Sequence, residues 1–180
     1  MNVIPTEIPE VLLLEPEVIS DERGCFIELW HRRKFTEIGI DYEFVQDNYS
    51  RSVKHTLRGL HYQIVQPQGK LVLVTAGEIY DVAVDIRKSS PTFGQWVGTY
   101  LSAENRRMIW MPPGFCHGFY VTDAVAEVRY KCSDYYAPAH ERCVQWNDPE
   151  LAIEWPLNGV PLLSERDRRA TPFARADYLP

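Results

Sequence analysis

Between Leu57 and Lys131 the chain is a succession of short apolar runs, each stopped by a turn signal. That spacing limits the fold more than any other feature. Leu57 to Gln63, Leu71 to Ala76, Ile79 to Ile86, Gln95 to Leu101, Met108 to Met111, Gly118 to Thr122 and Ala126 to Lys131 are too short for ordinary helices. Gly77-Glu78, Ser89-Ser90-Pro91 and Pro112-Pro113-Gly114 part them, the first as the turn of a hairpin. Such a series predicts a β-sandwich or a β-barrel. No repeat, low-complexity stretch or linker interrupts the 180 residues. They read as a single domain, 1–180, with an N-terminal arm at about 1–20 and a C-terminal tail at about 156–180.

The flanks are less regular. Ile8 to Ile19 is strand-like but carries Pro9 and Pro16, which suits an outer or exchanged strand. Asp21-Glu22-Arg23-Gly24 reads as a turn and Cys25 to Trp30 as a strand. Arg32 to Ile38 is predicted as a short helix ended by Gly39. Phe44 to Asn48 reads as a short strand running into a polar loop that lasts to His55. After Trp155 the chain reads as loop and short helix, with Asp167 inside a charged run.

Charge narrows the partners. A formal net charge of −6 argues against a nucleic-acid coat, so an anionic ligand would need a local basic pocket. No apolar run approaches a membrane span and no charged-then-apolar leader opens the chain, from which a cytoplasmic protein is expected. Cys25, Cys116, Cys132 and Cys143 show no C-x-x-C spacing and are expected as reduced thiols.

Within the apolar pattern, Leu57-Arg58-Gly59-Leu60-His61-Tyr62-Gln63 crowds an arginine, a histidine and a glutamine onto one strand. A histidine exchanges protons near neutral pH, and an arginine grips phosphate in bidentate fashion. The heptapeptide alone is equally consistent with an inward histidine satisfied by hydrogen bonds. Pro112 to His117 has the P-x-G-x-x-H form of the second motif of cupins, the small jelly-roll barrels, and His61 stands where the first motif would begin. A metal cupin needs a further histidine, and here Gln63 takes its place, so no metal is expected. Arg58, His61, Gln63, Lys70, His117, Tyr130 and Asp167 could then face one pocket, a set hard to explain as core.

The chain resembles the dTDP-4-dehydrorhamnose 3,5-epimerases from about Ile8 to Asp167. The resemblance is carried by Asp21-Glu22-Arg23-Gly24, Gln46-Asp47-Asn48, Arg58 to Gln63, Gln68 to Val72, Asp81 to Arg87, Ser90 to Gly94, Leu101 to Asn105, Gly114 to Phe119 and Trp146-Asn147-Asp148. It implies a mainly β protein, a cupin-like jelly-roll β-barrel with a few short peripheral helices, usually a homodimer, without metal or other cofactor. The implied substrate is a dTDP-linked 4-keto-6-deoxyhexose, inverted at carbons 3 and 5. The family's base falls on His61, its orienting carboxylate on Asp167, its proton donor on Tyr130, and the residue beside the keto oxygen on Lys70. Arg23, Glu28, Gln46, Asp47, Asn48, Arg58, His117 and Glu141 match substrate contacts, with Gln63 beside them, and Tyr136 matches the aromatic that stacks on thymine. Arg166 stands where the family often has Lys, and Tyr49 where His is common.

Chemistry agrees with that assignment. A proton beside a ketone is acidic because the anion delocalises onto oxygen, where Lys70 or His117 could stabilise it. A base near neutrality suits its removal, and inversion needs a second acid on the opposite face, which a phenol supplies. Arg23 and Arg58 could meet the diphosphate. Two other enzyme readings remain, a single-centre epimerase of a related dTDP-4-keto-6-deoxy sugar and a metal cupin oxygenase. A non-catalytic jelly roll that only binds sugars has no need of His61, Asp167 and Tyr130 together.

Overall fold

A computed structural model describes residues 1–180. Its strands are β1 (Asn2–Pro5), β2 (Leu12–Glu15), β3 (Val18–Asp21), β4 (Gly24–Ile27), β5 (Gln46–Val53), β6 (Leu57–Gln63), β7 (Lys70–Ala76), β8 (Glu78–Asp85), β9 (Trp96–Ser102), β10 (Met108–Met111), β11 (Phe115–Val121), β12 (Val125–Cys132) and β13 (Glu141–Cys143). Two short α-helices, α1 (Arg32–Glu37) and α2 (Glu165–Arg168), lie outside them. The expectation of a mainly β chain with short peripheral helices therefore holds.

Two antiparallel sheets stack face to face. One has the order β1-β2-β10-β7-β12-β5 and the other β13-β6-β11-β8-β9, while β3 and β4 form a separate hairpin. Alternation along each strand sends every second residue into the space between the sheets. Val72 and Val74, Ile109 and Met111, Ala126 and Val128 meet Ile79, Ala83, Val97, Phe115, Phe119 and Val121 there. The opposite side chains are also apolar because both outer faces are covered. Leu60, Tyr62, Val82, Val84 and Cys116 pack under the C-terminal segments that bring Leu151, Phe173 and Leu179. Leu14, Leu71, Met108 and Trp110 pack under Phe35 of α1 and Ile40.

The expected cupin-like jelly-roll barrel is not what forms. Both main sheets are open: β1 and β5 end one, β13 and β9 end the other, and no ladder joins an edge of one sheet to an edge of the other. Closure needs a continuous ladder around the ring. Here the edge strands β1 and β13 have only four and three residues, and isolated bridges such as Thr56 to Leu162 and Val144 to Thr171 tie the rims to loops instead.

Three strands depart from the expectation. β5 begins inside the short strand predicted at Phe44 to Asn48 but runs on to Val53 through the stretch predicted as a polar loop, β13 follows a short 3-10 turn with no apolar run, and β1 precedes the predicted arm strand. β5 is an edge strand paired only to β12. Its outward residues Asp47, Tyr49, Arg51 and Val53 are exposed, and its inward residues Gln46, Asn48, Ser50 and Ser52 are polar too, so no apolar period marks it.

Candidate active site

The interior between the sheets is apolar at one end and polar at the other. Register aligns the polar end: Lys70, the first residue of β7, is opposite Cys132, the last of β12, which is opposite Gln46, the first of β5. On the other sheet Glu141 of β13 is opposite Gln63 of β6. A cavity of about 320 Å³ opens there, lined by Gln46, Asn48, His61, Gln63, Lys70, Tyr130, Tyr136 and Glu141 among others. A second cavity of about 580 Å³, lined by Arg58, Ser164, Arg166 and Asp167, meets the first at His61, which lines both.

His61 Nε2 lies 2.6 Å from Asp167 Oδ1. A carboxylate accepts, so Nε2 carries the hydrogen and Nδ1 is left with the lone pair. The acid reaches this position through α2. Ser164 caps that helix, donates to Asp167 Oδ2 at 2.7 Å and accepts from the Asp167 backbone N–H at 3.1 Å. Asp167 is 3% exposed. Burial alone would raise its pKa, but the hydrogen bonds from His61 and Ser164 outweigh it and hold the carboxyl below its ordinary range.

A second pair lies directly beside the first. His117 is the cross-strand partner of His61, and its Nε2 is 2.8 Å from Asp81 Oδ2 with both residues buried. The other oxygen, Asp81 Oδ1, has no protein partner. Sequence reasoning did not single out Asp81. The signal was present: Asp81 and Asp85 share the inward face of β8 with Ala83, and a buried acid in an apolar strand requires a partner.

Lys70 is 9% exposed and makes no ion pair. Burial draws its pKa down, opposed by the nearby Cys132 and Cys116 sulfurs and the Glu141 and Asp81 carboxylates. Tyr130 faces the same cavity from β12. Burial, with Cys132 nearby, raises its pKa against a small opposing effect of Arg58, so the phenol stays protonated at neutral pH.

The remaining predicted residues divide. Gln46 Oε1 accepts from the Tyr136 backbone N–H at 2.8 Å, and its Nε2 donates to Asn48 Oδ1 at 3.0 Å. Tyr136 is half-exposed and donates to Glu141 Oε2 at 2.6 Å, a carboxylate that Arg166 also pairs with. Gln63 lines the cavity, but its amide is spent on the Gln66 and Tyr135 carbonyls and the Ala137 N–H. Arg58 lines the second cavity and donates from Nε to Ser52 Oγ at 3.0 Å. Asp47 and Glu28 line a neighbouring groove that shares Tyr130. Asp47 pairs with Arg129 and Lys131, and Glu28 with Lys34. Arg23 is brought to none of these cavities; it sits on the β3–β4 turn, 85% exposed, paired only with Asp21.

Of potential metal ligands, one cluster of three forms, His61, Cys143 and Asp167. No third histidine joins His61 and His117, so a cupin-type histidine set is not assembled.

Two stacked sheets that hold a histidine–carboxylate pair, a buried lysine and a buried phenol around one cavity define an acid–base enzyme. The family model of dTDP-4-dehydrorhamnose 3,5-epimerase matches residues 5–175. An enzyme of that description from Pseudomonas aeruginosa is 59% identical over 181 residues and covers 100% of both chains, and one from Shigella flexneri is 55% identical over 99% of both. The structure is similar to that of a dTDP-6-deoxy-D-glucose-3,5-epimerase from Legionella pneumophila in complex with dTDP-4-keto-L-rhamnose, with a TM-score of 0.96 and 54% identity, covering 98% of this chain and 94% of that one. The chain belongs to the dTDP-4-dehydrorhamnose 3,5-epimerase family, and it is an isomerase.

Proposed function

We infer that the chain inverts carbons 3 and 5 of dTDP-4-keto-6-deoxyglucose to give dTDP-4-keto-L-rhamnose, and that His61 and Tyr130 are the two proton-transfer groups. The observation that carries the roles is the 2.6 Å bond between His61 and Asp167 on a cavity that also receives Lys70 and Tyr130. His61 Nδ1 takes the proton beside the ketone, and the Asp167 carboxylate stabilises the resulting imidazolium. The electron pair moves onto the keto oxygen, where the Lys70 ammonium meets it. Tyr130 then delivers a proton to the opposite face of the carbon. No electrons leave the substrate, so the chemistry asks for no redox cofactor.

Asp81 acts as a positioning residue, since its bond to Nε2 orients the ring of His117. Arg58 and Arg166 are the cations available to the diphosphate in the second cavity, and half-exposed Tyr136 offers a face to thymine. We assign Gln46, Asn48 and Glu141 to the sugar and nucleoside, while Gln63 shapes the wall through its backbone bonds.

Arg23 and Glu28 fit the same reading through a homodimer. The β3–β4 hairpin projects from the sandwich with Ile19 61% and Phe26 66% exposed, an apolar surface that a second copy would cover. Arg23 reaches none of the three cavities described above, and a substrate contact by it is best supplied to another chain's site. Within one chain, the 180 residues form a single domain, because both outer clusters are built on the two central sheets. No helix is long and apolar enough to cross a membrane, and four unpaired cysteines support a reducing, cytoplasmic setting.

The test is proton NMR of the purified protein with dTDP-4-keto-6-deoxyglucose in deuterated water. Deuterium should enter at both carbon 3 and carbon 5 with inversion at each. Exchange at only one carbon would replace this reading with a single-centre epimerase.

A further inference from the structure

Cys143 has no part in the proton transfers, yet it stands against both members of the catalytic pair. It is the cross-strand partner of His61, and its Sγ lies 3.7 Å from Asp167 Oδ1, the oxygen that His61 Nε2 approaches at 2.6 Å. The three donor atoms all lie within 4.8 Å of one another. We propose that His61 Nε2, Cys143 Sγ and Asp167 Oδ1 form an inhibitory site for Zn²⁺, which switches the enzyme off by taking the base and its carboxylate as ligands.

The donor set is one nitrogen, one sulfur and one oxygen, which suits a borderline-soft ion and not Mg²⁺ or Ca²⁺. With zinc bonds of about 2.0–2.3 Å, tetrahedral ligands stand roughly 3.3–3.6 Å apart. The Sγ to Oδ1 distance of 3.7 Å lies just above that range. The His61–Asp167 pair must open by under about 1 Å, and His61 is part-exposed on two cavities, so its ring has room to move. Ser164 keeps the second oxygen of Asp167, Oδ2, at 2.7 Å and orients the carboxylate as a ligand's outer partner would. Arg166, a cation close enough to act on Cys143, is already paired with Glu141. A water completes the fourth position from the cavity side.

The proton count is simple. Zinc replaces the thiol hydrogen, which leaves as one proton to solvent, and no electrons move. The hydrogen on Nε2 transfers through solvent to Nδ1. The bound enzyme therefore has Nδ1–H where the base needs a lone pair. Inhibition rests on His61 being that base, whereas the site itself does not.

The experiment titrates the full chain with Zn²⁺ against a chromophoric chelator and, in parallel, follows deuterium exchange. Expected are one Zn²⁺ per chain at micromolar affinity, loss of exchange at the same midpoint, recovery on adding a chelator, and no effect of Mg²⁺. Cys143→Ala and Asp167→Asn should each weaken binding at least tenfold, and Cys143→Ala should shift its own inhibition midpoint equally. Exposed Cys25 is the control, since Cys25→Ser should leave binding unchanged. Co²⁺ substituted for zinc should show a thiolate charge-transfer band that Cys143→Ala lacks. Absence of saturable micromolar binding, or wild-type affinity in both Cys143→Ala and Asp167→Asn, overturns the site. Zinc bound through Cys143 with exchange intact supports the site and overturns His61 as the base.

Discussion

His61 and Tyr130 approach one cavity from different sheets, and their roles separate by isotope. His61→Ala should abolish both inversion and deuterium entry. Tyr130→Phe should lose inversion by roughly a hundred- to ten-thousand-fold while sparing some exchange, because the anion can recover a proton only from the His61 side. Near-normal inversion in Tyr130→Phe would sink the two-sided assignment. Lys70 carries the opposite balance of stability and function. Burial disfavours its charge and no carboxylate pairs with it. Lys70→Met should therefore leave the urea midpoint unchanged or raised, while kcat falls by about a hundred- to a thousandfold. Asp167 sets an acid limit. Its folded-state pKa is lowered, so its stabilisation is fully present above the unfolded carboxylate value of about 3.9 and is lost as pH falls through the folded value. The stability gap between wild type and Asp167→Asn should be present above about pH 4 and close as the pH falls below it. A gap that persists undiminished well below about pH 3 would contradict the pairing.

Among the elements, β6 and β11 set the spacing of the two histidine–aspartate pairs. They run so close that a Cβ at Gly59 would stand 2.5 Å from the Gly118 Cα and 2.7 Å from the His117 carbonyl oxygen, and Gly59 holds φ at +121°. Both atoms are backbone, so neither can step aside. Gly59→Ala should cost about 1–3 kcal/mol in urea unfolding and lower kcat by separating His61 from His117. Wild-type stability and rate in that variant would remove the close approach as a determinant of the site. β6 was legible in the sequence because Leu57, Leu60 and Tyr62 break an otherwise polar neighbourhood. β5 was legible only at its start, because its inward residues are all polar and carry no apolar period. β13 is three residues long and owes its strand conformation to pairing with β6.

For the whole molecule, the open hairpin is the feature that asks for a second copy. Phe26 and Ile19 on β3–β4 are the apolar surface, and they carry Arg23 at their turn. Light scattering of the wild type at micromolar concentration should give twice the chain mass. Phe26→Asp should shift it toward the monomer and raise KM for the nucleotide sugar, since Arg23 would be withdrawn from the site. A stable wild-type monomer with full activity would refute the shared site.

The sequence by itself determined the mainly β class and the positions of most of the long strands, because alternation is a local property, while the roles expected of His61, Lys70, Tyr130 and Asp167 came through the resemblance. It also carried the family through motifs spread over most of the chain. Tertiary structure decided the rest. Whether the sheets close is set by which edges meet, and here β1, β5, β9 and β13 meet no partner edge. The pairing of His61 with Asp167, 106 positions apart, and of His117 with Asp81 depends on packing that brings α2 onto β6 and aligns β8 with β11. The same packing leaves Cys143 against His61 and Asp167, a contact with no trace in the spacing of the cysteines.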